Sequence, residues 1–230
     1  MGRRRHGSRV SVFQEVWHRI RPLTPTAYER FIDFYAKAVV EPNRDSLDVL
    51  GGWKYTAGRT NCDVTLYRFG SVAEIGASMA SFGQEAEYLE EVEALFRETT
   101  IEERRTVAAL APIATWERLD EVLAEQPDAP RRYLQVVRSM PLMEAARAYE
   151  LLGRLVEERE KRGSARLVTA YEPMIGEMSQ LTEIWVLPPG VTELDDVADA
   201  VDRGLIDEIE TLVPATELLY MAPVSYSRLR

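Results

Sequence analysis

Few side chains in this chain can do chemistry. Its 230 residues include two histidines, His6 and His18, and one cysteine, Cys62. His18 lies in the apolar stretch Val10 to Arg21 and is the one histidine inside a predicted element. An imidazole titrates near neutrality, so His18 is a candidate catalytic acid/base; a histidine with no chemical role on a strand is the plain alternative. Glu183 lies in a second apolar stretch, Gln180 to Leu187, where a buried carboxyl would have a raised pKa and could also move a proton. An exposed edge position for Glu183 is the alternative there. Cys62 has no histidine near it in sequence, and the chain has no Gly-x-Ser-x-Gly elbow and no glycine-rich phosphate loop. One cysteine excludes an internal disulfide or a cysteine-rich metal centre, and two histidines exclude a three-histidine one. No metal and no cofactor are therefore expected.

These candidates need elements to position them. Val10 to Arg21, rich in Val, Phe, Trp and Ile and stopped by Pro22, reads as a strand. Thr24 and Pro25 open a helix whose apolar residues run from Tyr28 to Val39 at helical spacing. Leu47 to Tyr55 and Thr60 to Phe69 form a hairpin, Ser71 to Glu74 is a capping box, and the helical pattern continues through Tyr88, Val92, Leu95 and Phe96. Thr106 to Ile113 is the fourth strand. The second half repeats the order: strand Arg132 to Met140, helix Leu142 to Arg162 ending at Gly163, strands Arg166 to Tyr171 and Gln180 to Leu187 around Gly176, a helix capped by Thr192 and running through Val201, and strand Glu217 to Met221.

Matched strings support an internal repeat. Leu110, Ala111 and Pro112 with Trp116, Arg118 and Leu119 are echoed by Met221, Ala222 and Pro223 with Tyr226, Arg228 and Leu229. The strand Asp63 to Tyr67 matches Leu181 to Trp185, each five residues beyond Gly58 or Gly176. The expected fold class is α+β: tandem ferredoxin-like βαββαβ units, one over residues 10–120 and one over 132–230, joined by a linker over 121–131 that contains Pro127, Asp128 and Pro130, after a flexible basic tail over 1–9. Helices on one face of each sheet leave the other face bare, so the two sheets are expected to face each other as an intrachain pseudo-dimer with a pocket between them. Gln14, Trp53, Tyr67, Tyr171 and Trp185 are the expected substrate-binding residues, four of them aromatic walls for an apolar or aromatic small molecule. Aromatic residues serving only as core are the alternative.

The strand ending at Pro22, the pair Gly52-Trp53, the turn Gly58-Arg59-Thr60-Asn61, the strand Leu66-Tyr67-Arg68-Phe69 before Ser71 and the late Ala111-Pro112 resemble NIPSNAP-like proteins, within the dimeric α/β-barrel superfamily. The resemblance covers the first half, and the second half resembles a degenerate copy. It implies activities ranging over cofactor-free monooxygenases of polyketide-type aromatics, isomerases, cyclases, haem-binding chlorite dismutases and peroxidases, and ligand-sensing domains. In the haem branch His18 would be the axial ligand. Where family strands carry an acid, a base and a tyrosine at alternate positions, this chain has Gln14, Val16 and His18. The resemblance turns Gln14 and His18 toward the pocket, whereas composition makes their Val and Ile neighbours the helix-packing face. Both orientations stay open at this level.

Charge narrows the partners. Lys and Arg total 28 against 38 Asp and Glu, a net −10, and the first nine residues hold four arginines and no acid. The remainder, 24 cations against 38 acids, repels a phosphate backbone, so no nucleic acid is expected. Arg3, Arg4 and Arg5 read as a solvated tail. The chain has no membrane-spanning apolar run, and a lone cysteine suits a reducing cytoplasm. Taken together, the residues point to a NIPSNAP-like small-molecule enzyme of specialised metabolism. It would perform cofactor-independent isomerisation, cyclisation or oxygenation on a largely apolar substrate between two β-sheets. A non-catalytic ligand-binding or protein-interaction module is the alternative, and assembly into a homo-oligomer stays open.

Overall fold

Alternation along eight strands decides this architecture, because each strand has one face toward a shared interior and one toward helices. The computed structural model describes residues 11–22, 25–41, 47–59, 61–82, 86–175, 179–191 and 200–229. The strands are β1 (Val12–Ile20), β2 (Asp48–Ala57), β3 (Cys62–Phe69), β4 (Thr100–Leu110), β5 (Arg132–Ser139), β6 (Arg166–Pro173), β7 (Gln180–Leu187) and β8 (Ala215–Pro223). They close into one barrel in the order β1-β3-β2-β8-β5-β7-β6-β4, with every neighbouring pair antiparallel. Each half contributes a ferredoxin-like sheet, β4-β1-β3-β2 and β8-β5-β7-β6, and the seams are β2 with β8 and β4 with β6. The tandem α+β reading therefore holds.

The helices are α1 (Pro25–Phe34), α2 (Val72–Phe82), α3 (Ala86–Thr99), α4 (Trp116–Ala124), α5 (Ala145–Arg162) and α6 (Ala200–Leu212), with a π-helical segment Tyr35–Val40 continuing α1. The capping box forms: the Ser71 hydroxyl accepts from the Glu74 N–H, while the Glu74 carboxylate takes the N–H of Gly70. Gly163 ends α5 in the left-handed conformation, φ 63°, which a residue with a Cβ rarely adopts. Gly52 is needed for a different reason, since a Cβ there would meet the Tyr226 ring at 2.4 Å.

Three element boundaries differ from the sequence expectation. β4 begins at Thr100, directly after α3, and its charged residues pair two apart on each face of the strand, Arg104 with Glu102 on one and Arg105 with Glu103 on the other. A charge run that resembles a helix surface is thus compatible with a strand. Residues 116–124 of the expected first-unit end and linker form α4, capped by the Thr115 hydroxyl accepting from the Arg118 N–H. The helix expected to end at Val201 runs on to Leu212 because Leu205 and Ile209 supply a buried face. Thr24, Gly176, Thr192 and the basic tail lie outside the described residues. Among the described residues, no helix is long and apolar enough to cross a membrane.

Most of the barrel interior is filled. Phe13, Trp17, Trp53, Val64, Leu66, Tyr133, Ile184 and Met221 form one buried cluster, to which Leu119 and Val122 of α4 add from one end. Trp53 packs edge-on against Tyr133, and Tyr171 sits 5.4 Å from Phe13. At mid-depth, Glu15 and Gln135 occupy equivalent positions of the two halves. Glu15 accepts from the Tyr171 hydroxyl and from Gln135 Nε2, and Gln135 Oε1 accepts from the Tyr55 hydroxyl at 2.6 Å. Beyond them the opposite end opens as a polar groove of about 690 Å³ ringed by Arg59, Arg104 and Glu217.

Burial raises the pKa of Glu15, outweighing the lowering effects of Tyr171, Arg59 and Gln135. A carboxyl that holds its proton more tightly when folded stabilises the fold below the unfolded pKa of about 4.5 and loses that contribution as pH rises through its folded value. Glu15→Gln keeps an amide in the network without the ionisation. Urea unfolding at pH 5 and pH 8 should show the variant gaining stability relative to the parent at the higher pH; an identical difference at both values would refute the upward shift of Glu15.

Candidate active site

Strand register assembles the site on the helix-facing side of the first sheet. Along β1, residues 14, 16 and 18 face the helices, and their neighbours are set by pairing with β3 and β4. His18 lies between Asp63 and Glu103, Val16 between Thr65 and Arg105, and Gln14 between Tyr67 and Val107. Side chains directly opposite one another on a sheet lie about 5 Å apart, so this three-by-three patch is a contiguous floor. Phe31, Tyr35 and Phe96 close over it, and an apolar cavity of about 210 Å³ remains between floor and helices.

His18 is the centre of charge. Its Nδ1 donates to Asp63 Oδ1 at 2.7 Å, and the Tyr28 hydroxyl donates to Asp63 Oδ2 at 2.7 Å, so Asp63 is held from both sides. His18 Nε2 lies 3.4 Å from Glu103 Oε2, and Glu103 in turn accepts from Arg105 Nε at 2.5 Å. Burial by itself would favour neutral imidazole, but the Asp63 charge and hydrogen bond together with Glu103 prevail and raise the His18 pKa to about 9. Glu103 responds in reverse: burial would raise it, while His18 and Arg105 hold it at about 2. The four groups sum to zero charge, which is what a site of low dielectric tolerates. Beside them Tyr35 and Tyr67 share a hydrogen bond, and burial raises the pKa of both hydroxyls, that of Tyr35 to about 12.

The expected site residues separate into three places. His18, Gln14 and Tyr67 line the cavity just described. Trp53 and Tyr171 fill the barrel interior. Glu183 and Trp185 lie under the helices of the second half, where Glu183 is fully buried and accepts from Arg138 Nε at 2.6 Å and from Trp185 Nε1 at 2.8 Å. The space between the sheets, expected to be the pocket, is largely occupied by aromatic side chains, and the apolar cavity lies outside the barrel wall. Both readings of the first strand were partly correct: the Val-rich face does pack on helices, and Gln14 and His18 do face a pocket, because these are the same face.

Asp63, Tyr28, Glu103 and Arg105 escaped the sequence reading. Asp63 carried a signal, since it, Thr65 and Tyr67 put three polar groups on one face of a strand whose other face is apolar. Glu103 reaches His18, and Tyr28 reaches Asp63, only through tertiary packing, and neither carries a comparable local signal.

In the second half, register places Arg138 where the first half has His18, and Leu134 where it has Gln14. Arg138 reaches Glu183, Glu210 and the Val213 carbonyl, so its longer side chain ties sheet to helix, and a depression of about 500 Å³ lined by Arg138, Arg159, Glu183 and Glu210 borders it. A larger surface depression, about 1050 Å³, lies beside α4, and three of the four arginines that line it are paired: Arg118 with Glu160, and Arg131 and Arg166 with Glu125.

Haem does not fit the first-half cavity. His18 Nε2, the atom that would ligate iron, points at Glu103, the ring is an imidazolium at neutral pH, and 210 Å³ under three helices leaves no room for a macrocycle.

No protein-family model matches the chain, and no curated protein matches it in sequence. Solved structures do. A candidate monooxygenase from Fusobacterium nucleatum aligns over 95% of this chain and 93% of its own with TM-score 0.61 at 9% identity. An anthrone oxidase-like protein aligns over 94% and 91% with TM-score 0.58 at 10% identity. A NIPSNAP-like domain protein from Burkholderia xenovorans aligns over 46% and 90% with TM-score 0.41 at 12% identity. At these identities the near full-length likeness establishes the dimeric α/β-barrel fold.

Two measurements test this electrostatic description. In a His6→Ala protein the remaining imidazole signal should titrate by NMR near pH 9, and Asp63→Asn should bring it down by a unit or more; titration near the ordinary 6.5 in the parent would refute the His18–Asp63 pair. Arg138→Met alone should cost about 3–5 kcal/mol by urea unfolding because it strands a buried carboxylate, and Arg138→Met with Glu183→Leu should recover most of that loss.

Proposed function

We propose that this protein is a small-molecule enzyme that takes a largely apolar aromatic substrate beneath α1, α2 and α3 and moves a proton at His18 without a cofactor. The observation that carries the reading is the row Asp63, His18, Glu103 at the edge of an otherwise apolar cavity. Asp63, braced by Tyr28, fixes the ring and keeps Nδ1 protonated, which leaves Nε2 as the atom that exchanges a proton. Glu103 already shares Arg105 and can turn toward it when a substrate oxygen approaches Nε2.

A base of pKa about 9 is matched to phenols and enols, whose own acidities lie close by. The neutral imidazole takes the substrate proton and becomes an imidazolium. It then stays hydrogen-bonded to the new oxyanion inside a low-dielectric cavity, where such a contact is strong. The resulting enolate is the shared intermediate of isomerisation, cyclisation and oxygenation. The fold neighbours favour oxygenation among the three. With 1-naphthol, the ring carbon para to the oxyanion would add O₂, and loss of water from the hydroperoxide would leave 1,4-naphthoquinone, one oxygen atom ending in product and the other in water. Glu183 has no part in this scheme, since its carboxylate is engaged by Arg138 and Trp185 in the other half.

The competing reading is a ligand-binding module. It draws on one fact, that Glu103 already satisfies Nε2. An oxygen electrode with 1-naphthol as probe separates the two. Catalysis should raise O₂ uptake above the uncatalysed rate, kcat/KM should climb about tenfold per pH unit until it levels near pH 9, and His18→Gln should lower it by about 10² or more. Binding of 1-naphthol with no uptake above the blank would favour the module, and an undiminished His18→Gln rate would remove His18 from the mechanism.

A further inference from the structure

The polar groups that line the cavity are nearly all satisfied by one another. The Tyr35 and Tyr67 hydroxyls share a hydrogen bond, and Arg105 is held by Glu103 and the Met79 sulfur. Gln14 is the exception among the described lining residues: it is 6% exposed, and its carboxamide has no protein partner. The amide is not sealed in protein: it borders the cavity, so it is satisfied by what occupies that space, water or a ligand. The scaffold itself does not demand an amide, because the equivalent position of the second half is Leu134, packed in that half's apolar core.

We propose that Gln14 is the second polar anchor of the cavity, so that the site selects flat two-ring aromatics carrying an oxygen function at each end. The inference rests on the reading of this cavity as an aromatic-ligand site. Gln14 and His18 are four residues apart on one strand face, which separates their backbones by about 13 Å at roughly 3.3 Å per residue. A hydrogen bond of about 3 Å at each end leaves a ligand with its two oxygens about 7 Å apart. Two fused rings bearing oxygens at opposite corners meet that span, whereas a single ring is too short. Val16, midway along the floor, contributes an apolar surface beneath the rings, and Phe31, Phe69 and Phe96 supply walls. The amide offers both a donor and an acceptor, so it can take a phenol or a carbonyl. The volume agrees: a cavity of about 150 Å³ holds one benzene, and 210 Å³ holds a second fused ring.

Calorimetric titration with 2,6-dihydroxynaphthalene and with 2-naphthol tests the anchor directly. The parent protein should bind the diol about five- to tenfold more tightly than the mono-ol, the worth of one added neutral hydrogen bond. Gln14→Leu, which copies Leu134, should bring the two affinities together by weakening the diol and sparing 2-naphthol, and Gln14→Met provides a second variant should the first fail to fold. Binding of 2-naphthol with no diol preference in the parent, or the same preference in parent and variants, would overturn the role of Gln14 while leaving the cavity as a ligand site. Failure of both naphthols to bind the parent would overturn that wider reading as well.

Discussion

Closure of two four-stranded sheets into a single barrel removes every free edge and assigns each strand residue, by its parity alone, to the interior or to a helix layer. A slip of one residue in β1 would turn His18 and Gln14 into the barrel and push Phe13 and Trp17 under the helices. The register of β1 with β3 and β4 is therefore the constraint beneath both stability and chemistry. It buries the aromatic interior and, on the opposite face of the same strands, sets Asp63 and Glu103 on either side of His18.

The same register operates in the second half with a different outcome. A buried cation stands at the equivalent position in each lobe, but arginine and imidazole differ in length and in proton chemistry. Arg138 spans the space to Glu183, Glu210 and the Val213 carbonyl and cannot give up its charge at physiological pH. His18 is shorter, leaves a cavity above it, and can release a proton within an accessible range. A near-symmetric scaffold thus has one lobe whose buried charge is a fixed brace and one whose buried charge can move.

The two polar features on the faces of β1 also behave oppositely. Glu15, facing inward, has neutral hydrogen-bond partners, one nearby guanidinium and the Glu217 carboxylate, so burial prevails and its pKa is raised. His18, facing outward, has two carboxylates within reach, so pairing prevails over burial. Charge placed three residues apart on one strand is resolved differently because alternate parity sends the groups into different surroundings.

Periodicity and punctuation in the sequence were enough to establish the tandem ferredoxin-like plan, since hairpin glycines, the Ser71 capping box and the helical spacing of α5 are local features that tertiary packing had no reason to overrule. They also singled out His18, as the one histidine in a structured stretch. What they could not establish was where an alternating strand face would point, because both faces of β1 are apolar enough to be buried, and burial exists on both sides of a closed barrel. The partners of His18 come from β3 and β4, up to 85 residues away in sequence, and the Tyr28 that braces Asp63 comes from α1; distance along the chain carries no local trace of contact in space. Only the folded register brought Asp63 and Glu103 to His18 and Tyr28 to Asp63, and only packing density determined that one end of the interior would fill with Trp53 and Tyr171 while a polar groove stayed open at the other end and an apolar cavity beneath the helices.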